Sequence, residues 1–224
     1  MSDLTLLCDF DGTITEKDTG VVALDNYSTG DWLYYEKLIE EGRISLEECI
    51  KAQFGLLEGK KEEILEVVEN EVSFREGFKE FKEFCFDNSL PLVVLSAGLD
   101  FIIHHYMKRI DPNGRIPIYS PKTHFDNGKV SISFPEKHFE DSKNFKTDIV
   151  NKFKKEGTKI IYIGDGLSDY EAVRVADFSY VVKGTKLAQQ CVSENIPHRE
   201  FTNFSEITEE VKNNYLKQAS EKNK

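Results

Sequence analysis

The stretch Leu4-Thr5-Leu6-Leu7-Cys8-Asp9-Phe10-Asp11-Gly12-Thr13 decides the fold. Its first half is a short apolar run that stops at a carboxylate. Its second half sets two aspartates one residue apart, followed by a glycine and a threonine. An apolar run of this length, ended by a turn, reads as a strand buried on both faces, and such strands belong to parallel sheets covered by helices. The pattern recurs downstream. Leu92-Val93-Val94-Leu95 runs into Ser96-Ala97-Gly98, and residues 159–163 run into Gly164-Asp165-Gly166-Leu167-Ser168-Asp169. Residues 178–182 form a further strand and residues 115–119 a weaker one. Helical stripes separate them at 78–86, 145–153, 167–176 and 207–216, the first carrying Phe78, Phe81, Phe84 and Cys85. The expected fold class is α/β, a doubly wound parallel sheet.

One segment breaks the alternation. Between the first strand and the Phe-rich helix, residues 15–74 show no strand, and 31–41, 45–57 and 60–72 all read as helices. Ser45 followed by Glu48 is a capping box. An all-helical insertion placed directly after the first strand predicts a cap over the strand ends. The expected core is then 1–14 with 75–224. A hairpin is expected within 122–134, turning at Asp126-Asn127-Gly128. Residues 218–224 are polar and read as a tail.

Composition narrows the function. The chain has 224 residues, 40 acidic against 29 basic, for a net charge of −11. That excess argues against a nucleic-acid surface, which needs clustered Lys and Arg. No stretch approaches the length of a membrane span, and the start lacks a basic leader. The four cysteines lie far apart with no CxxC pair, which suits a reducing, cytoplasmic setting. The scattered histidines suggest no metal site. Acidity also raises a question about any anionic ligand.

Open parallel sheets bind ligands at the carboxyl ends of their strands. Three strand ends here deliver Asp9 and Asp11, then Ser96 with Ala97 and Gly98, then Asp165 and Asp169 to one edge. Each motif alone is an ordinary turn; all three in this order are not. The carboxylates would repel unless a hard cation held them, and an all-oxygen set favours magnesium. The Ser96 hydroxyl and the amides at Ala97 and Gly98 suit the oxygens of an anion, so a phosphate beside magnesium satisfies both halves. Asp9 could attack phosphorus, and Asp11 could protonate the leaving oxygen and later activate water. Lys143 and Lys146 are the candidates for the missing positive group.

These motifs resemble the haloacid dehalogenase superfamily over nearly the whole chain. By that resemblance Asp9 is the nucleophile and Asp11 the acid/base. Magnesium is held by the Asp9 carboxylate, the Asp11 main-chain carbonyl and Asp165, with Asp169 in support. Ser96 and Lys146 hold the phosphoryl group, Lys146 being preferred because Lys146-Thr147-Asp148 opens its helix as the motif lysine does in relatives. The insertion is placed like the cap of the subfamily that includes phosphoserine phosphatase. Phe54-Gly55-Leu56-Leu57, residues 75–81 and Ser96–Phe101 resemble the branch of the methionine-salvage phosphatase that acts on 2-hydroxy-3-keto-5-methylthiopentenyl-1-phosphate.

The resemblance implies a magnesium-dependent phosphatase acting on a small phosphate ester through an aspartyl-phosphate. Phosphoserine is the rival substrate. Its enzymes are expected to offer a cap carboxylate, here matched by Asp18, and a cap arginine, whose position falls on Gln53. A neutral amide replaces a guanidinium fork poorly. A phosphate-sensing module without turnover is the alternative of another class, and the acid/base position of Asp11 speaks against it.

Overall fold

The computed structural model describes residues 4–213. Six parallel strands form one sheet in the order β3-β2-β1-β6-β7-β8. They are β1 (Leu4–Cys8), β2 (Leu92–Leu95), β3 (Ile118–Tyr119), β6 (Lys159–Gly164), β7 (Phe178–Val182) and β8 (Arg199–Phe201). Chain order runs away from β1 in both directions, so the switch point lies between β1 and β6, beside the carboxyl ends that carry the acidic motifs.

Alternation along each strand feeds two cores. Leu6, Cys8, Val94, Ile161 and Ile163 point to one face, where they pack with α5 (Phe78–Asp87), α6 (Asp100–Ile110) and α10 (Phe204–Val211). Leu7, Val93, Leu95, Ile160 and Tyr162 point to the other, against α7 (Phe145–Lys155), α8 (Tyr170–Val175) and α9 (Lys186–Ser193). Of the predicted stripe on α5, Phe78, Phe81 and Cys85 are buried and Phe84 is half-buried; Phe78 meets Phe204 edge-on and Phe81 meets it at a tilt, at centroid distances of 4.9 and 5.2 Å.

Four helices fill the insertion: α1 (Thr19–Tyr27), α2 (Leu33–Glu40), α3 (Leu46–Phe54) and α4 (Lys61–Glu71). The capping box at Ser45 and Glu48 forms. The segment leaves and rejoins the sheet through a bridge between Thr15 and Phe74. It is tied down elsewhere as well. The buried Tyr106 hydroxyl donates to the carbonyls of Val68 and Val72 at 3.0 and 2.9 Å. The hairpin of β4 (Lys122–Asp126) and β5 (Lys129–Ser133) reaches up to meet it, with Val130 N–H donating to Leu57 and Gly59 N–H to Gly128. Asn127 and Gly128 turn that hairpin at φ 49° and 83°, the left-handed pair a two-residue loop requires.

The structure departs from the sequence reading in places. Helix α1 is absent from that reading because Gly20 and the β-branched Val21 and Val22 weaken its helical signal. Strand β3 shrinks to two residues, since Pro117 has no N–H to donate. The expected helix over 167–176 breaks into a tight 3₁₀ turn at Leu167–Asp169 followed by α8. The short edge strand β8 and helix α9 carry no stripe long enough to read. The last helix begins at Phe204, ahead of the expected 207, and the part of that expectation at 214–216, like the polar tail at 218–224, lies outside the described residues.

Candidate active site

The chain bends sharply where β1 ends. Asp9 extends the sheet by one bond, its N–H donating to the Ile163 carbonyl at 2.8 Å. Residues Phe10–Ile14 then make one wide turn, closed by Thr15 N–H on the Phe10 carbonyl at 3.0 Å. Gly12 sits there at φ +70°, and a Cβ on it would come within 2.3 Å of Asp165 Oδ2. Backbone and neighbour both demand glycine. Arg75 fastens the turn from outside, donating to the carbonyls of Thr13 at 2.8 Å and Gly12 at 2.6 Å.

The three strand ends do converge. Lys146, 1% exposed, places its ammonium 2.9 Å from Asp9 Oδ1 and 2.6 Å from Asp169 Oδ1. Asp169 is fully engaged, also accepting the Tyr162 hydroxyl at 2.6 Å and the N–H groups of Asp165 and Gly166 at 3.1 and 3.0 Å. Asp165 accepts the Thr13 hydroxyl at 2.9 Å. The buried Ser96 hydroxyl donates to Asp11 Oδ2 at 3.1 Å and accepts Gly98 N–H at 3.0 Å. Thr19, at the start of α1, holds the other Asp11 oxygen with its N–H and its hydroxyl.

Charge is unbalanced at this point. Four carboxylates (Asp9, Asp11, Asp165 and Asp169) gather round one ammonium. Burial, and then Asp169, push the Asp9 carboxyl well above its ordinary range. The same two causes bring Asp165 up to about 7. Burial alone would lower Lys146, but Asp169 and Asp9 together raise it, so its charge is secure. Asp9 Oδ1 is buried, and the Lys146 ammonium at 2.9 Å is the one partner it has among the described residues. Asp9, Asp165 and Asp169 each offer an oxygen within 4.8 Å of the others. Buried carboxylates in excess of their one ammonium, their upward shifts and an oxygen-only donor set fit a hard divalent cation.

Ala97 and Gly98 follow Ser96 along the floor of a cleft of about 1240 Å³ that also contains Asp9, Asp11, Lys146 and Asp165. A Cβ at Gly98 would stand 2.1 Å from Asp11 Oδ2. Gly98→Ala should therefore displace Asp11 and lower kcat roughly 10- to 100-fold while barely moving the unfolding midpoint. Steady-state kinetics beside a thermal melt would check this, and unchanged kcat would refute it.

The insertion lines the opposite wall. Trp32 and Leu33 face the cleft, whereas Tyr34 and Tyr35 stack edge-on with each other at 5.5 Å. Asp18 reaches the cleft, but it spends Oδ1 capping α1 through Val21 N–H at 2.9 Å. Gln53 is buried and donates to Glu36 Oε1 at 2.8 Å and to the Trp32 carbonyl at 3.4 Å. Lys143 lies exposed on the cleft wall, ahead of α7, while Lys146 takes the central position. The sequence reading gave no role to Thr13, Thr19, Glu36, Arg75 or Tyr162, although Thr13 closes the first motif, Arg75 opens the run 75–81 and Tyr162 is a hydroxyl inside an otherwise aliphatic buried strand.

Residues 6–174 match the family model for haloacid dehalogenase-like hydrolases, and the chain belongs to that family. Among curated relatives, the 2-hydroxy-3-keto-5-methylthiopentenyl-1-phosphate phosphatase of Brevibacillus brevis is 30% identical over 209 residues, covering 91% of this chain and 93% of its own. The enzyme of the same name from Bacillus velezensis is 29% identical over 213 residues, covering 93% and 89%. A solved phosphoserine phosphatase, captured as a phospho-aspartyl intermediate analogue, superposes with a TM-score of 0.70 at 18% identity, over 93% of this chain and 99% of that one. At that identity the likeness is one of fold.

Proposed function

We propose that the chain is a magnesium-dependent phosphatase that hydrolyses a small phosphate monoester through an aspartyl-phosphate. The observation that carries this reading is the buried Asp9 carboxylate at the end of β1, with the Lys146 ammonium 2.9 Å from one oxygen and Asp11 two residues along. An Asp9 oxygen attacks phosphorus as the ester P–O bond breaks. Asp11, held by Ser96 and Thr19, gives its proton to the departing oxygen. Asp11 then takes a proton from water, whose oxygen attacks the phosphorus of the aspartyl-phosphate, releasing phosphate and restoring Asp9. Lys146 and the amide of Ala97 hold the phosphoryl oxygens, and Ser96 and the Gly98 amide join them by turning from Asp11 and from each other when the ester binds.

The Asp9 and Asp165 carboxylates, with the Asp11 carbonyl, would hold magnesium; Asp169 is already committed to Lys146 and Tyr162. When bound, the cation offsets the charge between carboxylate and phosphate. Magnesium at a hundredfold excess over its Kd should raise stability by about 2.7 kcal/mol. Asp165→Asn should lose most of that gain. Thermal melts with and without the ion test both statements, and an equal gain in the variant would count against the assignment.

Residues 15–74 act as the cap that selects substrate and excludes water. The four cysteines are unpaired and buried, which suits a cytoplasmic enzyme. The substrate we favour is 2-hydroxy-3-keto-5-methylthiopentenyl-1-phosphate, the compound in the names of the curated relatives. Gln53 supports it over phosphoserine, because its amide donors are engaged by Glu36 and Trp32, and Glu36 would repel a substrate carboxylate. A panel of phosphometabolites assayed for phosphate release with magnesium decides. Gln53→Arg alone should change little, since the new guanidinium would pair with Glu36. Gln53→Arg with Glu36→Gln should raise phosphoserine turnover roughly tenfold or more. Release from no member of the panel would leave the sensing module as the better reading.

A further inference from the structure

The contacts that dock the inserted helices differ in what they reach. Glu69 meets His105 and Arg109 on the outer surface of α6, at 2.8 and 3.4 Å. Leu57 and Gly59 meet the hairpin. Glu40 meets Lys186 at 3.2 Å in an exposed ion pair. Such pairs contribute little. Glu47, on α3, does something else. Its Oε1 accepts the main-chain N–H of Phe145 at 2.6 Å, and Phe145 is the first residue of α7.

The first N–H groups of a helix have no partner within it. At α7, Asn144 satisfies one of them, its side-chain oxygen accepting Thr147 N–H at 2.9 Å, while its carbonyl takes the first bond of the helix from Asp148 N–H at 3.0 Å. Phe145 is buried, so its N–H would be left without a partner if Glu47 withdrew. Glu47 is half-buried and supplies a carboxylate where the helix dipole is positive. The residue after Phe145 is Lys146, whose ammonium bridges Asp9 and Asp169. Residues on both sides of the contact, Leu46 on α3 and Asn144 at α7, line the cleft.

We propose that Glu47 is a positioning residue, which seats the start of α7 and so couples docking of the inserted helices to the placement of Lys146. It touches no substrate and acts through one main-chain hydrogen bond. The proposal rests on the phosphatase reading for its kinetic consequence, but not for its structural one.

The test compares Glu47→Ala, which removes the acceptor, with Glu47→Gln, which keeps an oxygen at the same reach. Glu47→Ala should lower kcat/KM about 10- to 100-fold, the size expected for losing a charge-assisted bond, with the loss mainly in kcat. Glu47→Gln should stay within about threefold of wild type. Amide hydrogen exchange over residues 143–147 should speed up in Glu47→Ala and not in Glu47→Gln, while exchange in β1 and β6 stays unchanged. Wild-type kinetics and exchange in Glu47→Ala would overturn the proposal. Equal losses in both variants, or losses that track the folded fraction, would overturn it too. If the wild-type protein releases no phosphate from any ester, the phosphatase reading fails while the exchange comparison still judges Glu47.

Discussion

Asp9→Asn should cost at least roughly a thousandfold in kcat and leave the protein as stable as before. The substitution keeps the shape of the side chain but removes the attacking oxygen's charge, and no neighbour can take over. Asp11 is held by Ser96 and Thr19, and Asp169 is saturated by Lys146, Tyr162 and two amides. Stability should hold because Asp9 is strained by its own surroundings. Burial and Asp169 both oppose its charge, so the amide relieves a repulsion even as it weakens the pair with Lys146. Rapid-quench kinetics with a labelled ester would show no phosphorylated protein. Turnover near the wild-type rate would remove Asp9 from the nucleophile's place.

Lys146→Met should have the opposite balance, with a large loss of stability as well as of activity. Removing a buried ammonium leaves Asp9 and Asp169 facing each other with no cation between them. Breaking a buried pair in this way costs about 3–5 kcal/mol. For a chain of this size that lowers the midpoint by roughly 6–20 °C. A second substitution, Asp169→Asn, should recover part of the stability in the Lys146→Met background, because it removes one of the stranded charges. It should recover none of the activity. A double-mutant cycle by thermal melt gives the coupling directly. Strict additivity would show that the two groups do not depend on each other.

The acidic residues of the site were legible in sequence for a simple reason. An apolar strand buried on both faces can carry polar chemistry only where it ends, so Asp9, Ser96 and Asp165 announce themselves by position. Lys146 has no such address. It lies at the start of a helix, and the residues alone left it level with Lys143. What separates them is that Asn144 caps the helix, leaving Lys143 outside on the cleft wall and Lys146 buried in the first turn. The pairing of Gln53 with Glu36 was hidden for a different reason. It is a direct bond between side chains of two helices, α2 and α3, and no period within either one foretells it. Thr19 was missed along with α1, since its hold on Asp11 depends on where that helix begins. The question posed by the net charge of −11 resolves locally. Several of the acids converge where a cation would sit, and Lys146 is buried among them.

The strand order has a consequence for how the molecule comes into being. Strand β1 is interior to the sheet, with Leu6 opposite Leu92 on one side and Ile161 on the other. Synthesis runs in chain order, so this strand leaves the ribosome before either neighbour exists. It has no partner until β2 has emerged, and its other edge stays open until β6 follows, long after the inserted helices can form from local contacts. Asp9 and Asp11 are thus the earliest made of these groups and among the last to be fixed in place. A chain arrested before residue 159 would hold folded helices and an open apolar edge on β1, a form prone to aggregate or to need a chaperone.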